Sequence, residues 1–138
     1  MTLSGRVVAV TGASRGIGRA AALALAEAGA HVLAIARKID ALEKLDDEIQ
    51  KAGGTASLVP LDLKDFAGID RIPAALHERW GKLDGLFGNA GILGPITPLT
   101  HMHPRAWDEL LAINLTANWR LLRALDPLIR KSDAGRVL

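Results

Sequence analysis

RVVAVTGASRGIG, which spans residues 6–18, joins a short β-branched segment to a glycine-rich turn. The valine-rich half predicts a buried strand that ends in a turn at Gly12. After Gly16 the residues are small and apolar, rich in Ala and Leu, and Gly29 follows as a helix stop. The stretch therefore predicts a strand, a tight turn and a helix in direct succession.

The three glycines of the turn have different expected tasks. Gly12 allows the tight turn, Gly16 lets the backbone approach a pyrophosphate, and Gly18 allows the helix to pack closely on the sheet. The free N–H groups and the partial positive charge at the start of the helix also suit phosphate. A glycine turn that serves chain geometry alone is the alternative. The position between the first strand and the first helix favours nucleotide binding.

The rest of the chain alternates between apolar strand-like runs and amphipathic helical stretches. Further strands are predicted at 31–36, 55–61, 83–87 and from 135 onward. Helices are predicted at 16–28, 40–51, about 65–80 and 104 to about 131. Pro73 predicts a kink or a late start in the third helix, and Pro104 suits the first position of the fourth.

This alternation predicts one α/β domain over residues 1–138, a doubly wound parallel sheet of Rossmann type. Near-continuous apolar strands favour a sheet that helices cover on both faces. The crossovers in such a sheet are right-handed as a rule. Because a fifth strand starts only at Gly135, we expect a C-terminally incomplete dinucleotide-binding domain, cut where that strand begins.

Composition argues against several classes of protein. Hydrophobic residues make up 49% of the chain and charged residues 23%, which is typical of a globular protein. No apolar run reaches the roughly 18 residues of a membrane span, so we expect no membrane partner. The absence of cysteine fits a cytoplasmic protein, and a net charge of +2 without a basic stripe argues against nucleic acid. His101-Met102-His103 lacks a carboxylate at ligand spacing, so no metal site is expected.

Several motifs in order along the chain carry a family resemblance. TGASRGIG is followed by Asp62-Leu63, Asn89-Ala90-Gly91, Trp107-Asp108 and Ile113-Asn114-Leu115. Together they resemble the short-chain dehydrogenase/reductase family over the whole chain. The resemblance implies a nicotinamide cofactor and hydride transfer to or from a small-molecule carbonyl or alcohol substrate. The cofactor-binding residues that we predict are Gly12, Ser14, Arg15, Gly16, Ile17, Gly18, Arg37, Asp62, Leu63, Asn89, Ala90 and Gly91.

The end of the second predicted strand bears on the choice of cofactor. An Asp or Glu at this point takes the ribose hydroxyls of NAD, whereas an Arg accommodates the 2′-phosphate of NADP. The chain has Arg37-Lys38 here and a further cation, Arg15, in the glycine-rich turn. Two guanidinium groups suit a phosphate clamp, although two solvated surface arginines are the alternative. We therefore expect NADP(H) rather than NAD(H).

The resemblance also assigns tasks beside the adenosine. Asp62 is expected to accept the adenine amino group, with Leu63 supplying backbone. It is equally expected to cap the helix that follows. The small residues of Asn89-Ala90-Gly91 are expected to let the backbone pass close to the ribose, with an ordinary turn as the alternative.

The catalytic set of the family is only partly matched. It consists of an Asn, a Ser and a Tyr-x-x-x-Lys pair, in which the Tyr transfers a proton. Asn114 matches the first member, with a locally satisfied helix residue as the alternative. The sequence contains 0 Tyr, and Ser132 is predicted to be a turn residue. We expect an NADP-dependent oxidoreductase whose Ser, Tyr and Lys are missing from this chain, so that the chain alone is inactive. A non-catalytic dinucleotide-binding or redox-sensing module is the alternative.

The predicted helix from Pro104 has apolar residues on more than one face. One stripe can cover the sheet and leave another for a partner. Members of the family commonly associate through this helix, so we expect a homo-oligomer.

Overall fold

The computed structural model describes residues 2–138, which form five strands and a set of helices. The strands are β1 (Val7–Thr11), β2 (His31–Ala36), β3 (Thr55–Pro60), β4 (Gly85–Phe87) and β5 (Arg136–Val137). The α-helices are α1 (Gly16–Glu27), α2 (Ile39–Lys51), α3 (Phe66–Arg79), α4 (Pro104–Leu111) and α5 (Ala117–Ile129). A 3-10 turn at Leu99–His101 precedes α4, and a π turn at Ala112–Thr116 joins α4 to α5.

The five strands form one parallel sheet in the order β3-β2-β1-β4-β5. The chain builds the sheet outward from β1 to β3 and then returns to the other side of β1 with β4. The doubly wound fold predicted from the sequence is therefore confirmed. The order reverses between β1 and β4, and in such sheets the crevice at the carboxyl ends of these strands is where ligands bind.

Helices cover both faces of the sheet. On one face α3 and α5 pack against alternate strand residues such as Ala9 and Leu33. On the other face α1 and α2 cover the intervening residues, such as Val10 and Val32. Because successive strand residues point to opposite faces, burial of both faces explains the near-continuous apolar runs.

Three helix predictions need correction. Asp65, not Asp62, caps α3, because the Asp65 carboxylate accepts the Gly68 N–H at 2.9 Å. With that cap in place α3 begins at Phe66 and continues through Pro73, so the helix does not start late, and the kink at Pro73 stays a prediction. The long helical region after Pro104 is not one regular helix, because the π turn interrupts it.

A buried carboxylate joins the strands at the amino end of the sheet. Asp84, directly before β4, accepts hydrogen bonds from the Val7 N–H at 2.8 Å and the Ser132 hydroxyl at 2.6 Å. Its carboxylate oxygens also lie 2.9 Å from the Lys82 ammonium and 3.1 Å from the Arg6 guanidinium. One side chain thereby connects the starts of β1 and β4 with the turn before β5.

The partners of Asp84 keep it charged. Burial raises the pKa of a carboxyl group, but the hydrogen bonds from Ser132, Lys82, the Val7 N–H and Arg6 lower the pKa of Asp84 to about 2. Arg6 also pairs with the exposed Asp133. Arg6 and Lys82 are therefore neutralised within the protein.

Among the described residues, no helix combines the length and apolar character that crossing a membrane requires.

Candidate functional site

A cavity of about 480 Å³ lies at the carboxyl ends of β1 to β4, where the strand order reverses. Its volume falls within the roughly 300–1,000 Å³ that is usual for small-molecule sites. The predicted residues that line it are Gly12, Ser14, Arg15, Gly16, Ile17, Arg37, Asp62, Leu63, Asn89, Ala90 and Gly91. Lining residues that the sequence analysis missed are Ile35, Ala36, Lys38, Ala41, Leu61, Ile92 and Ile113.

Close packing fixes the glycine-rich turn at the base of this cavity. Gly12 has a φ of +62°, and a Cβ there would lie 3.0 Å from the Cα of Ala90. Gly18 does not line the cavity, but a Cβ on it would lie 2.2 Å from the carbonyl oxygen of Gly12. Gly18 therefore allows the first turn of α1 to pack on the loop backbone rather than on the sheet itself. Side chains at these two positions would push the loop out of place.

The loop after β4 is bound to the glycine-rich turn by side chains from both. The Thr11 hydroxyl, which is buried, accepts the Ala90 N–H at 3.0 Å. In return the Asn89 amide donates to the carbonyl oxygens of Thr11 and Gly12 at 3.2 and 3.4 Å. This role of Thr11 was not predicted, because a Thr at the end of a β-branched run gives no signal of its partner across the sheet.

The basic side chains of the cavity stand at the two neighbouring loops after β1 and β2. Arg15 precedes α1, and Arg37 and Lys38 follow β2. All three are exposed, and within residues 2–138 none of them forms an ion pair. Asp62 is the one carboxylate of the lining among these residues, and its Oδ1 accepts the Lys64 N–H at 2.9 Å. The β2 side of the cavity thus presents unneutralised positive charge.

Asn114 lies in the π turn, next to the cavity rather than in its lining. Its amide pairs with both backbone groups of one residue: Oδ1 accepts the Ile92 N–H and Nδ2 donates to the Ile92 carbonyl, both at 2.8 Å. This pair fastens the far end of the loop after β4 to the helix. Because both polar atoms of the Asn114 side chain bind the Ile92 backbone, this side chain helps to fix the shape of the cavity wall.

These residues fit a dinucleotide that carries phosphate groups. The first turn of α1 receives no side-chain hydrogen bond from its N-cap, Arg15, so its N–H groups remain available to an anion. Gly16, with a φ of +58°, has nothing within 4 Å of a Cβ position, so the backbone there is open to close approach. The three cations lie beside this turn. The donor set therefore suits phosphate oxygens on the β2 side of the cavity.

No group of three or more His, Asp or Glu side chains in residues 2–138 could hold a metal ion. In the segment His101-Met102-His103, His103 caps α4, because its Nδ1 accepts the Arg105 N–H at 3.1 Å.

Comparison with known proteins identifies relatives of the entire chain. A family model described as short chain dehydrogenase matches residues 6–138. The chain is 34% identical to the uncharacterized oxidoreductase YciK of Escherichia coli K12, over 99% of this chain and 55% of that protein. The chain thus spans about half the length of the curated relatives it matches.

Solved structures resemble the whole described chain. A metagenomic short-chain oxidoreductase in complex with NADP superposes with a TM-score of 0.95 at 39% identity, over 99% of this chain and 62% of that one. A short chain dehydrogenase from Escherichia coli CFT073 complexed with NADPH gives a TM-score of 0.92 at 34% identity, over 99% and 58% of the two chains.

Proposed function

We propose, from the premise that this chain belongs to the short chain dehydrogenase family, that its cavity binds NADP(H). The protein then serves hydride transfer between this cofactor and a carbonyl or alcohol substrate. The observation that carries the proposal is the cavity at the switch point, in which a glycine-rich turn stands beside unpaired cations. The complexes of two similar proteins with NADP and NADPH support it.

The preference for NADP(H) over NAD(H) rests on charge. Arg37 and Lys38 occupy the position after β2 at which an acidic residue would repel a 2′-phosphate. Arg15 lies on the same side of the cavity, in the adjacent loop. Forked guanidinium groups form charge-assisted hydrogen bonds with phosphate oxygens. Asp62 is placed in the same lining and takes the adenine amino group in this proposal.

The residues of this chain bind and orient, while the bound cofactor supplies or takes up the hydride. The turn at residues 12–18 holds the phosphates, and the loop at 89–92 forms the opposite wall of the cavity. Asn114 keeps that wall in place through its two bonds to Ile92. Proton transfer needs the Tyr of the family, and these 138 residues contain 0 Tyr. In the active enzyme this proton donor comes from outside the 138 residues.

A nucleotide titration tests the binding part of the proposal. NADPH and NADH are added separately to the protein, and the change in nicotinamide fluorescence gives the two dissociation constants. We expect NADPH to bind at least tenfold more tightly, because a charge-assisted phosphate contact is worth about 1.5–3 kcal/mol. Equal affinities would refute the assignment of the cofactor, and no binding of either nucleotide would refute the function.

The same preparation tests the catalytic part. With NADPH and a panel of ketones and aldehydes, we expect no sustained loss of absorbance at the nicotinamide band. General acid catalysis contributes about 10²–10⁴-fold on its own, and here substrate positioning by the Ser is missing as well. Sustained turnover would show that these 138 residues hold another proton donor.

We also propose that the protein self-associates through α4 and α5. Large apolar side chains lie exposed at intervals of three or four residues along this helical region: Trp107, Leu111, Leu115, Trp119 and Leu122. The opposite face of α5 is buried against the sheet at Leu121, Leu125 and Leu128. Light scattering across a concentration series should show a mass above that of one chain. The cytoplasmic location expected from the composition stays a prediction.

A further inference from the structure

The π turn before α5 contains a hydrogen bond between two asparagines. The side-chain Nδ2 of Asn118 donates to the backbone carbonyl of Asn114 at 3.1 Å. In this turn the backbone pairing is widened, as in the bond from the Ala117 N–H to the Ala112 carbonyl, five residues earlier. The Asn118 amide therefore supplies a hydrogen bond to the widened turn from the side chain.

The other end of the Asn118 amide lies beside Gly88, directly after β4. A Cβ on Gly88 would come within 2.7 Å of Asn118 Oδ1, so any side chain at residue 88 would force the Asn118 amide to move. Gly88 is the residue between β4 and Asn89, at the start of the loop that forms one wall of the cavity. Ile92, at the end of that wall, is bound by Asn114.

We infer that Asn118 is a positioning residue for the cavity, which holds the loop at residues 88–92 at both ends. It acts at Gly88 by close packing, because no room is left there for a Cβ, and at Ile92 through the Asn114 backbone. The inference rests on the proposed function only in that this loop is a wall of the nucleotide site. It adds that a residue outside the cavity lining determines the position of this loop.

The low helix propensity of Asn indicates that Asn118 does not serve to stabilise the helix itself. Asn is a poor helix former, and Ala at the same position would favour the helix. Loss of nucleotide affinity in Asn118→Ala would therefore come from the two contacts and not from a weaker helix. Asn118→Asp keeps the shape but faces the Asn114 carbonyl with a carboxylate oxygen, which cannot donate when ionised.

The first experiment measures nucleotide affinity together with stability. We expect Asn118→Ala to raise the dissociation constant of NADPH about three- to tenfold, the range for loss of one neutral hydrogen bond, and Asn118→Asp to raise it further. The free energy of unfolding by urea is measured on the same samples. Gln50→Ala is the matched control, because it removes an exposed amide donor to Asp46, four residues back on α2, away from the cavity. A role confined to stability would lower the unfolding free energy and leave the NADPH affinity of the folded protein unchanged.

A double-mutant cycle tests the contact with Gly88. Gly88→Ala places a methyl group against Asn118 Oδ1, and we expect it to weaken NADPH binding more in the presence of Asn118 than in the Asn118→Ala background. The combined effect should therefore be smaller than the product of the two separate effects. Equal effects of Gly88→Ala in both backgrounds would overturn the contact on which the inference depends.

Amide hydrogen exchange without nucleotide separates this inference from the proposed function. Asn118→Asp should speed exchange of the Ile92 N–H, which is bound to Asn114, while Gln50→Ala should leave it unchanged. If the unmodified protein binds no nucleotide, the proposed function fails and this measurement still decides the inference. Unchanged exchange at Ile92 in Asn118→Asp would overturn it, whether or not nucleotide binds.

Discussion

The two ends of the sheet both gather positive charge, and they use it in opposite ways. At the amino end Arg6 and Lys82 converge on the buried Asp84, which is 5% exposed. At the carboxyl end Arg15 and Arg37 line a cavity and form no ion pair within residues 2–138. A cation that the fold neutralises contributes to stability, whereas one that it leaves unpaired beside a cavity is available to an anionic ligand.

The difference predicts that substitutions at the two ends separate stability from binding. Changes around Asp84 should alter the free energy of unfolding with little effect on nucleotide affinity. Changes at Arg37 should do the reverse, because an exposed and unpaired side chain contributes little to folding.

The largest effect on stability is expected for Asp84→Ala. It removes the acceptor of the buried Val7 N–H and of the Ser132 hydroxyl and leaves two cations facing each other. Hydrogen bonds to charged groups are worth about 1.5–3 kcal/mol each, and their losses overlap, so we expect about 3 kcal/mol less stability in urea unfolding. Asp62→Ala is the matched control at the other end of the sheet, where the carboxylate holds one exposed N–H. Equal losses in the two variants would contradict the comparison.

Arg37→Asp should have the largest effect on binding. Replacing a phosphate partner by a repelling charge should weaken NADPH roughly thirty- to a hundredfold and leave NADH nearly unaffected. Lys44→Asp on α2 makes the same change of charge at an exposed position outside the cavity lining. Fluorescence titrations of both nucleotides against both variants measure the effect. Similar weakening of NADPH and NADH by Arg37→Asp would argue against a 2′-phosphate contact.

Stability should also depend on acid pH through Asp84. The folded state lowers the pKa of this group from its usual 3.8 to about 2, so the native state favours the charged form. The resulting stabilisation, about 2 kcal/mol, is complete only above about pH 5 and is lost as the pH falls toward 2. Urea unfolding at a series of pH values should show this loss in the unmodified protein and a shallower dependence in Asp84→Asn. Parallel pH profiles would mean that other carboxyl groups carry the acid sensitivity.

The smallest of these effects is expected for Ser132→Ala. It removes the 2.6 Å hydrogen bond to Asp84 but leaves Lys82, Arg6 and the Val7 N–H in place. We expect a loss of about 1.5 kcal/mol in unfolding free energy and an NADPH affinity within twofold of the unmodified protein. A large loss of affinity would place Ser132 in the binding site and remove the separation between the two ends.

Local sequence signals predicted most of the fold. The strand at His31–Ala36 has the predicted bounds. Its apolar run is limited by the helix stop at Gly29 on one side and by the charged residues Arg37-Lys38 on the other. The fourth strand was predicted at 83–87 but begins at Gly85, since the Leu83 N–H donates to Leu128 of α5 and the first bond to β1 comes only from the Asp84 N–H to the Val7 carbonyl. Hydrophobicity alone cannot show where ladder pairing starts.

The cavity lining was predicted well because its loops follow strands in a regular order. All of the predicted cofactor residues except Gly18 line it, although their contacts with a nucleotide remain predictions. The Asp84 cluster had no such signal. Its members Arg6, Asp84 and Ser132 are 78 and 48 residues apart, so no local spacing connects them. The helix cap predicted at Asp62 but found at Asp65 shows the same limit, because both carboxylates come just before the helix and only the backbone path decides which one caps it.

The π turn at Ala112–Thr116 makes this part of the chain sensitive to length. Such a turn is a regular helix with one residue too many, so deletion of a single residue here would give one continuous α-helix from Pro104 to Ile129. The shortened helix would be more regular, but it would lose the wide turn from which Asn114 reaches Ile92. Asn114 and Ile92 would then no longer face each other. The shape of the cavity wall therefore depends on the number of residues in this helical region as well as on its side chains.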